Sequence, residues 1–289
     1  MKPMSKILWS AVLLLFLTLI GAGIYLNTKT PLNYREWDTM FSKLNTTTSE
    51  TDGSVVIHNL RSFTFGSSTI VTREWNDTVV NPEDIERVYF FLDHFSSIRE
   101  VGHTFVSFHL KDGRTVAFSI EARREATETY SFVNGFLNEY ELQYLWGTER
   151  DLVTQRTVYK NEQLYRFPLA LSRDQAQALF KGFVAETNEL AATPRFYHTL
   201  TANCTNMLAK IVNKYYPGTL PYDISWNLTG LSDYYLERQG FIELNGTTPE
   251  ELRAKYDLTI HRDTLRENAA LSSKDFSAFL ESLLESPGT

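Results

Sequence analysis

The sequence predicts an α+β fold, with an antiparallel sheet packed against helices, behind an N-terminal transmembrane helix. The sheet is indicated by short strand candidates and above all by the alternating segment from Gly102 to Glu121. The helices are indicated by apolar residues that recur at helical spacing in the second half of the chain. The predicted parts are an anchor (residues 1–26), a tether (27–53), a main domain (54–240) and a C-terminal helical appendage (241–289).

The anchor is an uncharged run from Ile7 to Leu26 that follows Lys2 and Lys6. A helix of about twenty residues is ~30 Å long, which matches the thickness of a bilayer core. The small residues Gly21-Ala22-Gly23 would also suit a cleaved signal peptide, but the run is longer than the apolar region of such peptides, so we prefer an uncleaved anchor. Because both lysines precede the run, residues 1–6 are expected in the cytosol and the domain outside the inner membrane, in the periplasm.

Residues 27–53 are predicted to form a polar tether, with a possible short helix from Trp37 to Leu44. Fully extended, a segment of this length would reach about 90 Å, at roughly 3.3 to 3.6 Å per residue. That reach would allow the domain to work at the bilayer surface. The tether ends at the first strand candidate, Ser54–His58, and further candidates follow at Arg61–Phe65 and Arg87–Leu92.

The alternating segment is interpreted as a β-hairpin whose loop is Lys111-Asp112-Gly113. With Gly113 in the left-handed conformation, the loop pairs Leu110 with Arg114 and places His103 opposite Glu121, on one face of the sheet. A two-residue turn would shift this pairing by one residue. We prefer the first register because Glu121 beside His103 would orient and polarise an imidazole. Without a catalytic role, His103 would be a core histidine with its hydrogen bonds satisfied.

Two short charged runs follow the hairpin, Arg123-Arg124-Glu125 and Glu149-Arg150-Asp151. Runs of this kind usually face solvent, and we interpret both as solvated faces. The alternative is an ion-pair network that braces the hairpin behind the site.

Three helices are predicted in the remainder besides the one that carries the cysteine. Ser172 and Gln175 form a capping box for a helix that runs to about Leu190. A short helix is expected to begin around Thr248-Pro249, and an amphipathic helix covers Phe276 to Leu284, before Pro287-Gly288.

Composition narrows the possible functions. Outside the anchor, 26 Lys+Arg (28 less Lys2 and Lys6) face 35 Asp+Glu, and this acidic balance argues against nucleic acid as a partner. The chain has one cysteine, Cys204, which therefore forms no internal disulfide. Outside the cytosol, such a cysteine is either buried and inert or a free thiol kept for chemistry.

Cys204 is predicted to open a helix, because apolar residues follow it at helical spacing until Pro217-Gly218. Asn203 is a favoured N-cap, so the thiol would lie among unpaired backbone NH groups at the positive end of the helix dipole. Both effects favour the thiolate, which is the nucleophilic form. The alternative is that Cys204 is simply a small buried apolar residue.

A histidine on a strand, followed about a hundred residues later by a cysteine that opens a helix, is the papain arrangement in reversed chain order. Around these residues, three successive blocks resemble the family named for the extracytoplasmic domain of the Lnb lipoprotein N-acyltransferases, over roughly residues 54–240. The block with Asn203-Cys204-Thr205 is also similar to the nucleophile segment of lecithin:retinol acyltransferase, in the circularly permuted NlpC-type papain-like superfamily. The blocks are GHTFVSFHLKDGRTVAFSIEARRE, WGTERDLVTQR and FYHTLTANCTNML.

The resemblance implies a permuted papain-like fold and thiol acyl-transfer chemistry, with Cys204 as nucleophile and His103 as base. The hairpin register adds Glu121 as the group that orients the ring. The expected function is that of an envelope acyltransferase or hydrolase acting on lipid or lipoprotein acyl groups, with no cofactor and no metal. A cell-wall amidase or peptidase and a non-enzymatic envelope binding protein stay open as alternatives, and no oligomeric state is predicted.

Overall fold

The computed structural model describes residues 3–285. Within them, helix α1 (Pro3–Asn27) is the one helix long and apolar enough to cross a membrane, by its length and composition, and the spanning stretch is Ile7–Leu26. None of that stretch is buried against the rest of the described chain. Lys2, on which the topology prediction partly depends, and Pro287-Gly288 lie outside the described residues.

The described chain after α1 contains one large sheet and one separate strand pair. In the large sheet the strand order is β1-β2-β9-β8-β7-β6-β10, with β5 added to β2, while β3 pairs with β4. The neighbours are antiparallel except β2 and β9, which meet in parallel through one residue pair. The strands are β1 (Thr46–Ser49), β2 (Val55–Arg61), β3 (Thr64–Phe65), β4 (Ile70–Thr72), β5 (Trp75–Val80), β6 (Ile85–His94), β7 (His103–Leu110), β8 (Thr115–Arg123), β9 (Glu141–Gly147) and β10 (Gln163–Pro168).

Helices cover both faces of this sheet, so the predicted α+β fold is confirmed at the level of a sheet packed against helices. They are α2 (Phe132–Phe136), α3 (Glu149–Thr154), which continues into a π-helix (Gln155–Tyr159), α4 (Arg173–Ala192), α5 (Cys204–Tyr215), α6 (Ser232–Arg238), α7 (Pro249–Tyr256), α8 (Arg262–Glu267) and α9 (Ser273–Glu285). On one face Phe108 and Phe118 pack against Phe183 of α4. On the other face, Phe91 and Phe105 join the core formed by α3, α8 and α9.

The central hairpin has the preferred register. The paired residues run from Phe105 with Ser119 to His109 with Thr115, and the amide of Leu110 donates to the carbonyl of Arg114 at 2.9 Å. Gly113 has φ of +83°, the left-handed conformation that the three-residue loop requires. Continued by two residues, this register sets His103 opposite Glu121. The shifted register is therefore wrong.

The segment interpreted as a tether is packed against the domain over much of its length. Thr46–Ser49 form strand β1 at the sheet edge, and the short helix is reduced to a single 3₁₀ turn at Thr39–Phe41. Asn45 is buried: its side chain donates to the carbonyl of Asn59 at 2.7 Å and accepts from the amide of Trp146 at 3.0 Å. This segment is held by hydrogen bonds of polar side chains. It therefore lacks the regular apolar pattern from which packing against the domain could have been predicted. In this arrangement part of the segment contacts the domain and is not fully extended.

The second charged run is not a solvated face. Glu149 and Asp151 are fully buried, and Asp151 pairs with the buried Arg61 at 2.7 Å. In the first run, Arg123 is also buried, with its guanidinium 4.1 Å from the ring centre of Trp37. For the second run the structure contains the ion-pair network that was the alternative, because Glu149 also contacts His109 of the hairpin at 2.9 Å and Arg166 at 3.5 Å. Arg123 of the first run donates to backbone carbonyls.

The predicted helices of the second half are confirmed. Capping boxes open α4 at Ser172 and α7 at Thr248, as their sequences predict. The C-terminal helices are less of an appendage than expected, because Leu265 of α8 and Leu280 of α9 are fully buried in the second core.

Candidate active site

Helix α5 places Cys204 beside the start of strand β7. The side chain of Asn203 accepts from the amide of Asn206 at 2.9 Å, while Asn206 accepts from the amide of Asn203 at 3.0 Å. This reciprocal cap fixes where the helix begins, with Cys204 as its first residue. The hydroxyls of Thr205 and Thr104 lie 3.0 Å apart and join the first turn of α5 to β7. Because Thr104 follows His103, the thiol and the imidazole are brought together.

His103 is held on its other side by a hydroxyl and a carboxylate. Its Nε2 lies 2.8 Å from Oγ of Ser119 and 3.3 Å from Oε1 of Glu121. The hydroxyl of Ser119 donates to the same carboxylate oxygen at 2.7 Å. With Nε2 occupied in this way, Nδ1 is the ring nitrogen left for the thiol. A serine therefore sits between the predicted base and its orienting carboxylate.

Charge and a hydrogen bond couple the thiol to the imidazole. Burial alone would raise the pKa of Cys204, but His103, the amide of Thr104 and the hydroxyl of Thr205 lower it below the ordinary thiol value. Burial alone would likewise lower the pKa of His103, but Glu121 and Cys204 raise it to about 10. A lowered thiol pKa and a raised imidazole pKa favour a thiolate–imidazolium pair at neutral pH, the reactive form of a cysteine nucleophile.

Arg156 of the π-helix supports this pair from behind. It lies 3.1 Å from Glu121 and 3.2 Å from Asp93, the residue paired with His103 across β6 and β7. Against the effect of burial, His103 and Arg156 hold the pKa of Glu121 well below its usual range. Burial and the neighbouring Glu162 raise the pKa of Asp93 to about 7. Carboxylates thus flank the histidine on both neighbouring strands, and one arginine bridges them.

The thiol and the imidazole line a cavity of about 450 Å³ at this end of the sheet. Its wall includes the charged side chains of Glu121 and Arg156 and the aromatic residues Tyr130 and Phe132. Among the described residues, no group of His, Cys, Asp and Glu side chains could hold a metal ion. The expected absence of a cofactor stays a prediction.

The structure brings Cys204, His103 and Glu121 together, as the sequence predicted. His198, the histidine nearest to Cys204 in the sequence, accepts hydrogen bonds from the amides of Leu200 and Thr201 at 3.2 and 3.3 Å, which fits a packing role. Ser119 and Arg156 were missed as site residues. Ser119 could have been found, because it lies two residues before Glu121 on the same strand and so on the same face.

Comparison with known protein families gives one match, which covers all three sequence blocks named above. Residues 72–229, 158 of the 289 in the chain, match the family described as the Lnb N-terminal periplasmic domain. Neither the curated proteins nor the solved structures yield a match. The matched segment contains the whole hairpin and the start of α5, and with them His103, Glu121 and Cys204. Since more than half of the chain is matched, it belongs to the family of the Lnb N-terminal periplasmic domain.

Proposed function

We propose that the chain is a membrane-anchored thiol acyltransferase or hydrolase that acts on lipid or lipoprotein acyl groups at the periplasmic face of the inner membrane. The observation that carries this proposal is a thiol at a helix N-terminus whose pKa is lowered by His103, inside a cavity. Helix α1 supports the membrane location, and the family supports the periplasmic one. The chain order, histidine before cysteine, supports a permuted papain-like arrangement.

The first step forms an acyl-enzyme. The thiolate of Cys204 attacks an ester or amide carbonyl, and a bond forms between Sγ and the carbonyl carbon. The amides of Cys204 and Thr205, which open α5 and have no acceptor within the helix, are placed to stabilise the oxyanion. His103 gives its proton to the leaving oxygen or nitrogen as that bond breaks, and the imidazole becomes neutral.

The second step releases the acyl group. A hydroxyl, an amine or water gives its proton to the neutral imidazole of His103 and attacks the thioester carbonyl. The bond between carbon and Sγ then breaks, and the thiolate and the imidazolium are restored. The role of Glu121 and Ser119 is to hold Nε2, so that Nδ1 faces first the thiol and then the incoming nucleophile.

Mass spectrometry of the purified full chain after exposure to phospholipid tests the proposal. We expect a mass increase equal to one fatty acyl group, located on the peptide that contains Cys204 and removed by neutral hydroxylamine, as a thioester is. The Cys204→Ala variant should show no increase, and His103→Ala should show little.

The alternatives give other results in the same experiment. An amidase or peptidase would form no adduct with phospholipid but would form one with a peptide substrate. A binding protein would form neither, and its thiol would react slowly with iodoacetamide at neutral pH.

A further inference from the structure

A group of exposed apolar side chains lies on the segments that line the active-site cavity or next to them. Phe132 itself lines the cavity, and Leu200 and Leu228 each follow a lining residue, Thr199 and Asn227. We call this group the apolar rim, and it consists of Ile98, Phe132, Val133, Phe136, Leu200 and Leu228. Exposed side chains of this size, placed together around a cavity, indicate an interaction surface.

Contacts between loops keep the rim continuous. The ring of Phe132 stacks on Phe95, which precedes Ile98 in the loop between β6 and β7, with the ring centres 6.3 Å apart. The hydroxyl of Thr199 donates to the carbonyl of Phe132 at 2.9 Å, which joins α2 to the loop that carries Leu200. The amide of Gly230 donates to the carbonyl of Glu100 at 3.0 Å, which joins the segment of Leu228 to the loop of Ile98. The rim is therefore formed by neighbouring segments.

The membrane anchor is fixed at the same edge of the domain. The hydroxyl of Tyr25, near the end of α1, donates to Glu139 at 2.6 Å, and Lys29 forms a salt bridge with the same carboxylate at 2.5 Å. Glu139 is three residues after Phe136, so their Cα atoms are at most about 11 Å apart. Tyrosine and lysine at the end of a spanning helix commonly lie at the level of the lipid headgroups. Phe136 of the rim is thus held within about 11 Å of the backbone that contacts the membrane interface.

We propose that the apolar rim inserts into the interfacial layer of the membrane that holds α1, so that the active-site cavity opens onto lipid. Amphipathic helices at a membrane interface bury their apolar faces ~5–10 Å into the boundary between headgroups and acyl chains, which is the depth expected for the rim. We favour the bilayer over a protein as the partner of the rim, because the anchor keeps the bilayer next to this edge of the domain in every copy of the chain. If the proposed function is correct, lipid esters reach Cys204 without their acyl chains crossing water.

Fluorescence quenching tests the docking without depending on catalysis. A Val133→Cys variant in a Cys204→Ala background would be labelled with bimane and reconstituted, one full chain per nanodisc of phosphatidylethanolamine and phosphatidylglycerol. The matched control is Val79→Cys, since Val79 is 52% exposed against 63% for Val133. Val79 lies at the far end of the hairpin, where its carbonyl accepts from Arg114 at 3.0 Å.

With a lipid that carries a nitroxide quencher just below its headgroup, we expect several-fold stronger quenching of the label at position 133 than at position 79. Equal quenching at the two positions would overturn the proposal. A single chain per nanodisc excludes a second copy as the cause of any difference.

A second measurement separates docking from chemistry. The double variant Val133→Asn and Phe136→Asn should reduce acylation of Cys204 by vesicle phospholipid at least ~10-fold. Its reaction with iodoacetamide and with a short water-soluble thioester should match the wild type, as should all three reactions of Val79→Asn. Unchanged acylation by phospholipid in the double variant would contradict the docking, whereas a wild type that takes no acyl group from phospholipid would contradict the proposed function.

Discussion

Strand β7 carries two histidines on the same face, and they belong to two different kinds of site. His103 at its start and His109 near its end each contact a glutamate: Nε2 of His103 is 3.3 Å from Glu121, and Nε2 of His109 is 2.9 Å from Glu149. An arginine pairs with each glutamate as well. By residue type and distance alone, either pair could be half of a catalytic triad.

The difference lies in the surroundings of the two rings. His109 is enclosed by protein charges: Arg166 lies 3.0 Å from its Nε2, and Glu281 of α9 lies 3.5 Å from its Nδ1. His103 uses one nitrogen for Ser119 and Glu121, while a thiol and a cavity lie on its other side. A histidine paired with a carboxylate can therefore act as a base only where its other ring nitrogen is left for a reacting group.

The largest expected effect is on activity. Cys204→Ala, His103→Ala and the double variant should each lower acyl transfer by at least ~10³-fold, to a similar floor, because either loss abolishes the covalent step. His109→Ala, the matched control on the same strand, should keep most of its activity per folded molecule. Initial rates with a short thioester would measure this, and an active Cys204→Ala would overturn the assignment.

The second effect is on stability at the other site. Glu149→Gln should cost roughly 3 kcal/mol of unfolding free energy, because it removes one of the two carboxylates, Glu149 and Glu281, that pair with the buried Arg166. Despite burial, Arg166 and His109 lower the pKa of Glu149 from the ordinary 4.5 to about 2. The resulting stabilisation, roughly 3 kcal/mol, is fully present above pH ~4.5 and is lost as the pH falls towards 2.

Denaturant unfolding between pH 2.5 and 7 would test the stability prediction. The wild type should lose stability steeply below pH ~4.5, and the variant should do so less steeply. Parallel pH profiles for the two proteins would contradict it.

The third effect is on the reactivity of the thiol. Wild-type Cys204 should react with iodoacetamide rapidly at pH 7, because His103 lowers the thiol pKa. In His103→Ala the rate at pH 7 should fall ~10- to 100-fold, since a thiol of pKa near 9.0 is only about 1% ionised there. The pH midpoint of alkylation should rise correspondingly. The same midpoint in both proteins would show that the imidazole does not act on the thiol, and His109→Gln provides the control.

The smallest effects concern the groups behind the ring. Glu121→Gln should reduce activity about 10-fold. Ser119→Ala should reduce it about 5-fold, which corresponds to the ~1 kcal/mol of one hydrogen bond. Both variants should keep the mass of the acyl-enzyme unchanged while slowing its formation in single-turnover measurements. A loss as large as that of His103→Ala would mean that Glu121 takes part in proton transfer itself.

The sequence could predict those parts of the fold and the site that depend on local chemistry. The turn at Gly113 sets the hairpin register, and the Asn203 cap sets the start of α5. The burial of Glu149 and Asp151 could not be predicted, because their respective partners, Arg166 and Arg61, lie on other elements of the fold. The same is true of Arg156, whose position depends on how the whole segment after α3 folds.

Helix α3 and its π-helical continuation carry residues of both sites, and the rotation of the helix between these residues decides which site each one faces. Asp151 in α3 pairs with Arg61, and Arg156, five residues later in the π-helix, pairs with Glu121 of the candidate active site. A π turn holds one residue more than an α turn, and each residue of a helix accounts for about 100° of rotation. Deletion of a single residue here would turn Arg156 away from the active site and leave the ion pair of Asp151 in place. One in-frame deletion here is thus expected to lower the activity to about the extent of Glu121→Gln, without changing Cys204 or His103.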